Sequence, residues 1–292
     1  MTLLNNFLSS KKIPKSRFYR SLLKHLPVIL VLVAVLYPLV WMFAASFRTN
    51  FQVFNSLGLL TKNPTLENYP AGWDGGGSGI GFSTYFGNSL FISFFAILGN
   101  LFACSCAAYA FARLEFPFKR FFFAMLLGTL LLPYQVTLIP QYILFNKLEW
   151  VGTYLPLIVP RWLGVDAFFV FLMVQFIRGL PRELDEAARI DGAGPFRIFR
   201  MIILPLSLPA IGTTALFTFV NTWNDFLGPL LYVYDPERKT ITQGLAAFID
   251  ITGESFYGSL FAMCSLSLAP LVAFFLASQR LLVNGIATTG LK

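Results

Sequence analysis

The sequence predicts an all-α integral membrane protein of six transmembrane helices, and three observations carry the prediction. The 292 residues are 56% hydrophobic and only 12% charged, about half the roughly 25% charge of a soluble domain. Six long stretches are apolar enough to cross a bilayer, where about 20 residues of helix are needed because no water satisfies the backbone. The basic residues fall between those stretches with a strong asymmetry, as membrane topology requires.

The spans can be taken in order. The first, Leu26–Phe47, follows a basic segment (1–25). Ala44, Ala45 and Ser46 near its end resemble a signal-cleavage site, but a signal's apolar core is about 7–15 residues, so this longer stretch reads as a retained anchor. Phe86–Ala112, Phe121–Asn146, Met201–Asn224 and Ser255–Gln279 form spans two, three, five and six, each without Asp, Glu, Lys or Arg. Span four, Leu155–Ile177, contains Arg161 and Asp166, whose spacing suits either a salt bridge or a span boundary. The expected division is a basic segment 1–25, a six-helix domain 26–282 and a tail 283–292. Glycines and prolines inside the spans, among them Gly99, Pro133, Pro140, Gly212 and Pro270, point to kinked and closely packed helices.

Sixteen of the 22 Lys and Arg residues fall on the side that holds both termini and six on the other, which predicts cytoplasmic termini. The formal charge of +8 is therefore a topology signal. Its basic residues flank spans instead of clustering with aromatics, which argues against nucleic acid as a partner. Cys104, Cys106 and Cys264 all lie within spans, so neither a disulfide framework nor a metal site is expected. The single histidine, His25, sits at the edge of span one, where Ser-His or His-metal catalysis is not served. No catalytic residue is assigned, although a carboxylate-based membrane enzyme stays open. The glycine-rich run Gly72–Gly81 lacks the Gly-Lys-Ser/Thr ending of a phosphate loop and reads as a flexible connector. No such loop occurs elsewhere, so any ATP and Mg must be bound by another chain.

The most informative segment lies between spans four and five, from Pro181 to Pro205. Pro181 suits a first helical turn, and the acidic residues after it complement the helix dipole. Arg182 with Glu186, and Asp185 with Arg189, are spaced as i, i+4 pairs. Gly192 falls where a left-handed residue ends the first helix, and Pro195 can open a second. Ala187 and Ala188, beside Leu184 and Ile190, form a narrow surface rimmed by carboxylates. Such a surface suits either a protein groove or a solvated connector.

Glu186-Ala187-Ala188, then Gly192, Ile202, Leu204 and Pro205 at their spacing, resemble the EAA motif of binding-protein-dependent ABC importer permeases, in which Asp191 is also common. The similarity covers nearly the whole chain and is nearest the MalG-like permeases of carbohydrate uptake. Ala108-Tyr-Ala-Phe-Ala-Arg113, Asn221-Thr-Trp-Asn-Asp-Phe226 and Leu282-Val-Asn-Gly285 also carry it. The resemblance implies a MetI-like permease fold with a cytoplasmic coupling-helix (EAA) loop at 181–205, in a bacterial cytoplasmic membrane. It implies a second permease as heterodimer partner, two copies of an ATP-binding subunit, an extracytoplasmic solute-binding protein and a carbohydrate substrate.

By the same resemblance Glu186, Ala187, Ala188, Asp191, Gly192, Leu204 and Pro205 couple the permease to the ATPase. The last exported loop, 235–254, would reach toward the binding protein, and the tail would lie along the ATPase interface. Asn221, Trp223, Asn224 and Asp225 are the candidates for a substrate pathway, since amides and carboxylates bond hydroxyls and an indole stacks on a sugar face. The rival reading is an ion-coupled secondary transporter, which would normally show buried charges in several spans or an internal repeat.

Overall fold

The computed structural model describes residues 15–289 apart from 56–57, 60, 62, 77–78 and 250–254, with side chains between 25 and 281. The first 14 residues of the basic segment, residues 250–254 of the last exported loop and residues 290–292 of the tail lie outside the described residues, as do the side chains of Leu282–Gly285. Fifteen α-helices follow one another among the described residues, and no strand. They are α1 (Lys15–Ala45), the short α2 (Asn50–Asn55) and α3 (Asn68–Trp73), α4 (Phe82–Arg113), α5 (Lys119–Thr129) and α6 (Tyr134–Lys147). There follow α7 (Leu155–Trp162), α8 (Ala167–Arg178), α9 (Glu183–Ile190) and α10 (Pro195–Ile198). After a π turn at Phe199–Ile203 come α11 (Leu204–Leu206), α12 (Leu208–Trp223), α13 (Leu227–Tyr232), α14 (Ile241–Ala246) and α15 (Tyr257–Thr289).

Four stretches are long and apolar enough to cross a membrane unaided: His25–Ala45, Phe82–Arg113, Leu155–Arg178 and Tyr257–Leu281. The other two expected spans are bent pairs. Lys119–Thr129 and Tyr134–Lys147 meet at 103°, and Pro195–Leu206 meets Leu208–Trp223 at 74°. Span three is therefore not the continuous helix expected over Phe121–Asn146. Pro133 has no N–H to donate and holds an extended conformation (ψ 133°) ahead of α6, which ends α5 and lets the chain turn. Span five likewise begins at Leu208 instead of Met201, because the residues before Ser207 belong to the helix across the bend.

The long helix α4 is the hub, packing on α7, α8 and α12. Its buried positions include Ser89, Ser93, Ala96, Gly99, Asn100, Cys104, Ala108 and Ala112, a stripe of small residues at helical spacing. Small side chains let neighbouring helices approach closely where no hydrophobic drive separates protein from lipid. One polar tie runs through this contact, Asn100 Nδ2 donating to Thr218 Oγ1 at 2.7 Å. At Gly99 the Trp162 ring lies where a side chain would be: a Cβ there would stand 2.2 Å from Trp162 Cδ1. The Trp162 Nε1–H donates to the Phe95 carbonyl at 3.1 Å. Gly99→Leu is therefore expected to part α4 from α7, at a cost of the 1–3 kcal/mol typical of overpacking, measurable as a lowered midpoint of thermal aggregation in detergent.

The glycine-rich segment is more than a connector. Asn68–Trp73 is helical and packs on α15, with Gly72 against Met263, and Gly76 (φ +51°) faces the Phe248 ring. At the same end Asn68 Nδ2 donates to the carbonyls of Ser46 and Arg48, which fixes the turn that leaves α1. α1 itself packs on α15, and its side chains from residue 25 to residue 40 are exposed.

Candidate functional site

Two sites matter, at different levels of the bundle. The first is the loop containing α9. Its acidic first turn, Glu183, Asp185 and Glu186, sits at the positive end of the helix dipole. The end of α9 is a Schellman arrangement: Gly192 N–H donates to Arg189 O at 3.0 Å and Ala193 N–H to Ala188 O at 2.9 Å. That geometry needs the left-handed φ of +81° found at Gly192, and nothing stands within 4 Å of where its Cβ would be. The requirement is thus of the backbone, not of space.

Neither of the expected i, i+4 ion pairs forms. Asp185 turns inward and pairs with Arg113 at the end of α4, Nε to Oδ2 at 2.9 Å, with both side chains buried (2% and 6% exposed). Arg113 Nη2 also donates to Leu180 O at 2.8 Å, and Tyr109 Oη donates to Pro195 O at 2.9 Å. Ala188, Ala193 and Phe199 pack on a core built from α4, α8 and Ile198. The loop is therefore seated on the bundle along its whole inner face, while Glu186, Ala187, Arg189, Ile190 and Phe196 are left exposed. Ile190 is 87% exposed, an apolar residue presented outward. A cleft of about 310 Å³ between α9 and the end of α4 is lined by Glu115, Arg182, Glu186 and Arg189 with the buried pair.

Leu204 and Pro205 lie on the far side of the loop. Pro205 can donate no N–H and its ring crowds the carbonyl four residues back. The helix meets this with the π turn at Phe199–Ile203 and then breaks at Ser207, whose N–H returns to Ile203 O and Leu204 O at 2.9 and 3.2 Å. The 74° bend into α12 follows.

The second site is a cavity of about 870 Å³ along α4, α6, α7, α8, α12 and α13. Hydroxyl and amide side chains in its wall include Ser89, Tyr134, Gln141, Asn221, Thr222 and Tyr232, and Trp150 and Phe168 supply aromatic surface. The charged side chains among its lining residues are Arg161, Asp166 and Asp225. Arg161 Nη1 and Asp166 Oδ2 form an ion pair, which resolves the two earlier readings of that spacing in favour of a salt bridge. It bridges the break between α7 and α8, where Gly164 (φ +71°) turns the chain. Asp225 Oδ1 accepts from Gly228 N at 3.0 Å and so steadies the start of α13.

The structure brings Asn221 and Asp225 to this cavity but not the other two pathway candidates. Trp223 is 2% exposed, packed between Phe86, which it meets edge to face, and Phe219, with its Nε1–H on the Ser267 carbonyl at 3.2 Å. An indole so enclosed cannot lie on a sugar, and Trp223 is a core residue between α12 and α15. Asn224 is exposed, bonded to Val220 O at 2.9 Å, and is not in the cavity wall. Sequence reasoning missed Tyr232 and Ser89, which carry no local signal, and noted Thr222 only inside the Asn221–Phe226 motif. It noted Arg113 only as part of a motif.

The expected docking loop at 235–254 is largely built into the fold. Asn88 Nδ2 donates to Glu237 O and Lys239 O, Ile241 N–H to Ser89 Oγ, and Thr242 Oγ1 to Asp225 O. Gln243 and Phe248 are buried.

Residues 99–288 match the family described as binding-protein-dependent transport system inner membrane component. The chain is 34% identical over 263 residues to the probable ABC transporter permease protein YurM of Bacillus subtilis, covering 90% of this chain and 86% of that one. It is 34% identical over 265 residues to the trehalose/maltose transport system permease protein MalG of Thermococcus litoralis, covering 90% and 94%. It is 33% identical over 274 residues to the sn-glycerol-3-phosphate transport system permease protein UgpE of Brucella abortus, covering 92% and 96%. A crystal structure of a bacterial ABC transporter involved in import of the acidic polysaccharide alginate superposes with a TM-score of 0.78 at 19% identity, over 91% of this chain and 97% of that one. With its helical bundle, its EAA loop and these likenesses, the chain belongs to the binding-protein-dependent inner membrane permeases and is a transport subunit with a MetI-like fold.

Proposed function

We propose that this permease forms half of the transmembrane pathway for a carbohydrate, a di- or oligosaccharide, and that α9 is the helix through which a separate ATPase subunit drives it. The observation that carries the reading is the seating of α9, pinned to α4 by the buried Arg113–Asp185 pair and presenting Glu186, Ala187 and Ile190 outward. A helix fixed on one side and bare on the other transmits a push. An ion-coupled transporter or a carboxylate enzyme gives that bare face no purpose.

In this reading two ATP-binding subunits hold ATP and Mg, and this chain holds no cofactor. Each docked helix is carried as the ATPases close, and the bundle changes the side to which its cavity opens. A second, different permease completes the pore across the open side of the cavity, and an extracytoplasmic binding protein delivers the sugar. The membrane is the bacterial cytoplasmic membrane with both termini inside, as the sixteen basic residues on that face support. The unit boundaries are 1–25, 26–282 and 283–292, with 181–205 as the coupling loop. Sugar as cargo is supported by relatives named for trehalose/maltose and arabinooligosaccharides and by the hydroxyl, amide and aromatic lining of the cavity.

The test is Glu186→Lys in the transporter reconstituted in vesicles. The side chain is exposed and makes no hydrogen bond or ion pair among the described residues, so insertion and stability should be unchanged. Uptake should fall at least about tenfold, the factor of about 1.4 kcal/mol in docking. Uptake at the wild-type rate would refute the role of α9.

A further inference from the structure

The substrate class can be narrowed from the charges in the cavity, given the proposal that this cavity is the sugar pathway. Three charged side chains line it, Arg161, Asp166 and Asp225, so its formal charge is −1. The one cation among them is engaged: Arg161 is the last-turn basic residue of α7 and folds across the Gly164 turn onto Asp166. Asp166 stands at the N-cap of α8, where an aspartate ordinarily accepts from the first turn of its own helix. It makes no such bond and is given to Arg161 instead.

An anionic cargo needs an unneutralised guanidinium or ammonium, since charge-assisted bonds to carboxylate or phosphate are what stabilise it away from water. Here it would meet an occupied cation and the Asp225 carboxylate, in surroundings where the low dielectric enlarges repulsion. Uncharged hydroxyls meet the opposite situation. Tyr232 is 2% exposed in the cavity wall and its hydroxyl has no hydrogen-bond partner among the described residues, and the Thr222 hydroxyl is equally unpartnered. Buried polar atoms of this kind are costly unless something bonds them, and a sugar hydroxyl both donates and accepts.

We propose that this chain's wall is built for an uncharged polyhydroxyl cargo, a neutral di- or oligosaccharide and not a uronic or phosphorylated one, and that Asp166 sets the choice by neutralising Arg161. Asp166 is a specificity-determining residue, and its removal turns Arg161 into an anion site.

The experiment uses the assembled transporter in detergent, without binding protein, and reads ligand binding by thermal protection and titration calorimetry. The probes are a panel of neutral disaccharides and trisaccharides, the uronic disaccharides matched to them, and glycerol 3-phosphate. Wild type is expected to be protected by at least one neutral sugar and by no anion. Asp166→Asn should bind an anionic probe at least about tenfold tighter than wild type, with an affinity that falls as salt rises. Arg161→Gln combined with Asp166→Asn should lose that gain, which a merely structural role for Asp166 would not produce. Protection of the wild type by an anionic sugar, or no gain in Asp166→Asn, overturns the inference and leaves the sugar reading intact. Protection by no sugar of the panel, neutral or uronic, overturns the sugar reading itself.

Discussion

Arg113→Ala is expected to uncouple ATP hydrolysis from uptake while leaving the permease in the membrane. The substitution removes the partner of Asp185, whose carboxylate is then buried without compensation, and breaking a buried pair from one side costs about 3–5 kcal/mol. It also removes the bond to Leu180 O that ties the start of the loop to α4. α9 would keep its outward face and could still dock, but would be linked to the bundle mainly through Ala188, Ala193 and Phe199. The ratio of sugar transported to ATP hydrolysed should fall at least about tenfold, measured with the transporter in vesicles. Arg113→Met with Asp185→Leu makes the test sharper. An apolar pair of similar bulk is often neutral for stability, so the double variant should recover thermal stability. If it also recovers the transport ratio, packing suffices, and if not, the ion pair's geometry is what carries motion. An unchanged ratio in Arg113→Ala would remove the pair from the coupling path.

Gly192→Pro is expected to abolish coupling by a different route. The backbone there has φ +81°, whereas proline is locked near −65°, and proline deletes the N–H that closes the end of α9 on Arg189 O. The direction in which the chain leaves α9 must change, and α10 with the Tyr109–Pro195 contact moves with it. Gly192→Ala is the graded control. Its Cβ meets no atom within 4 Å, so the left-handed conformation is its only cost, about 1–2 kcal/mol. Uptake should be lost in the proline variant and reduced only several-fold in the alanine variant. Equal losses would show that the space around residue 192 in the assembled complex matters more than its φ.

The loop was legible in the sequence because its determinants are local. A dipole-matched first turn, a left-handed glycine and a proline that opens the next helix all act within a few residues of where they stand. The inward turn of Asp185 was not legible, since its partner Arg113 lies far back in the chain, and local spacing pointed to Arg189. The spans were readable from composition, but their straightness was not. Pro133 breaks span three, while Pro38 and Pro270 sit inside helices that continue through them, and only packing distinguishes the cases. Trp223 shows the reverse error. Its chemistry suits a sugar, yet its helical phase with Phe219, one turn earlier, places it on the apolar stripe facing α15. The cavity combines residues from α4, α6, α7, α8, α12 and α13, and no local pattern announces such a set.

The packing of α1 on α15 bears on how the protein is made. The Trp41 and Phe261 rings meet edge to face at 5.4 Å, so α1 makes this contact only when α15 has followed it. At about 5–20 residues per second that interval is on the order of 10–40 s. Throughout it the nascent α1 is without that contact. The leucines and valines that cover it, exposed even in the finished fold, keep it in the bilayer alone while the remainder of the chain arrives.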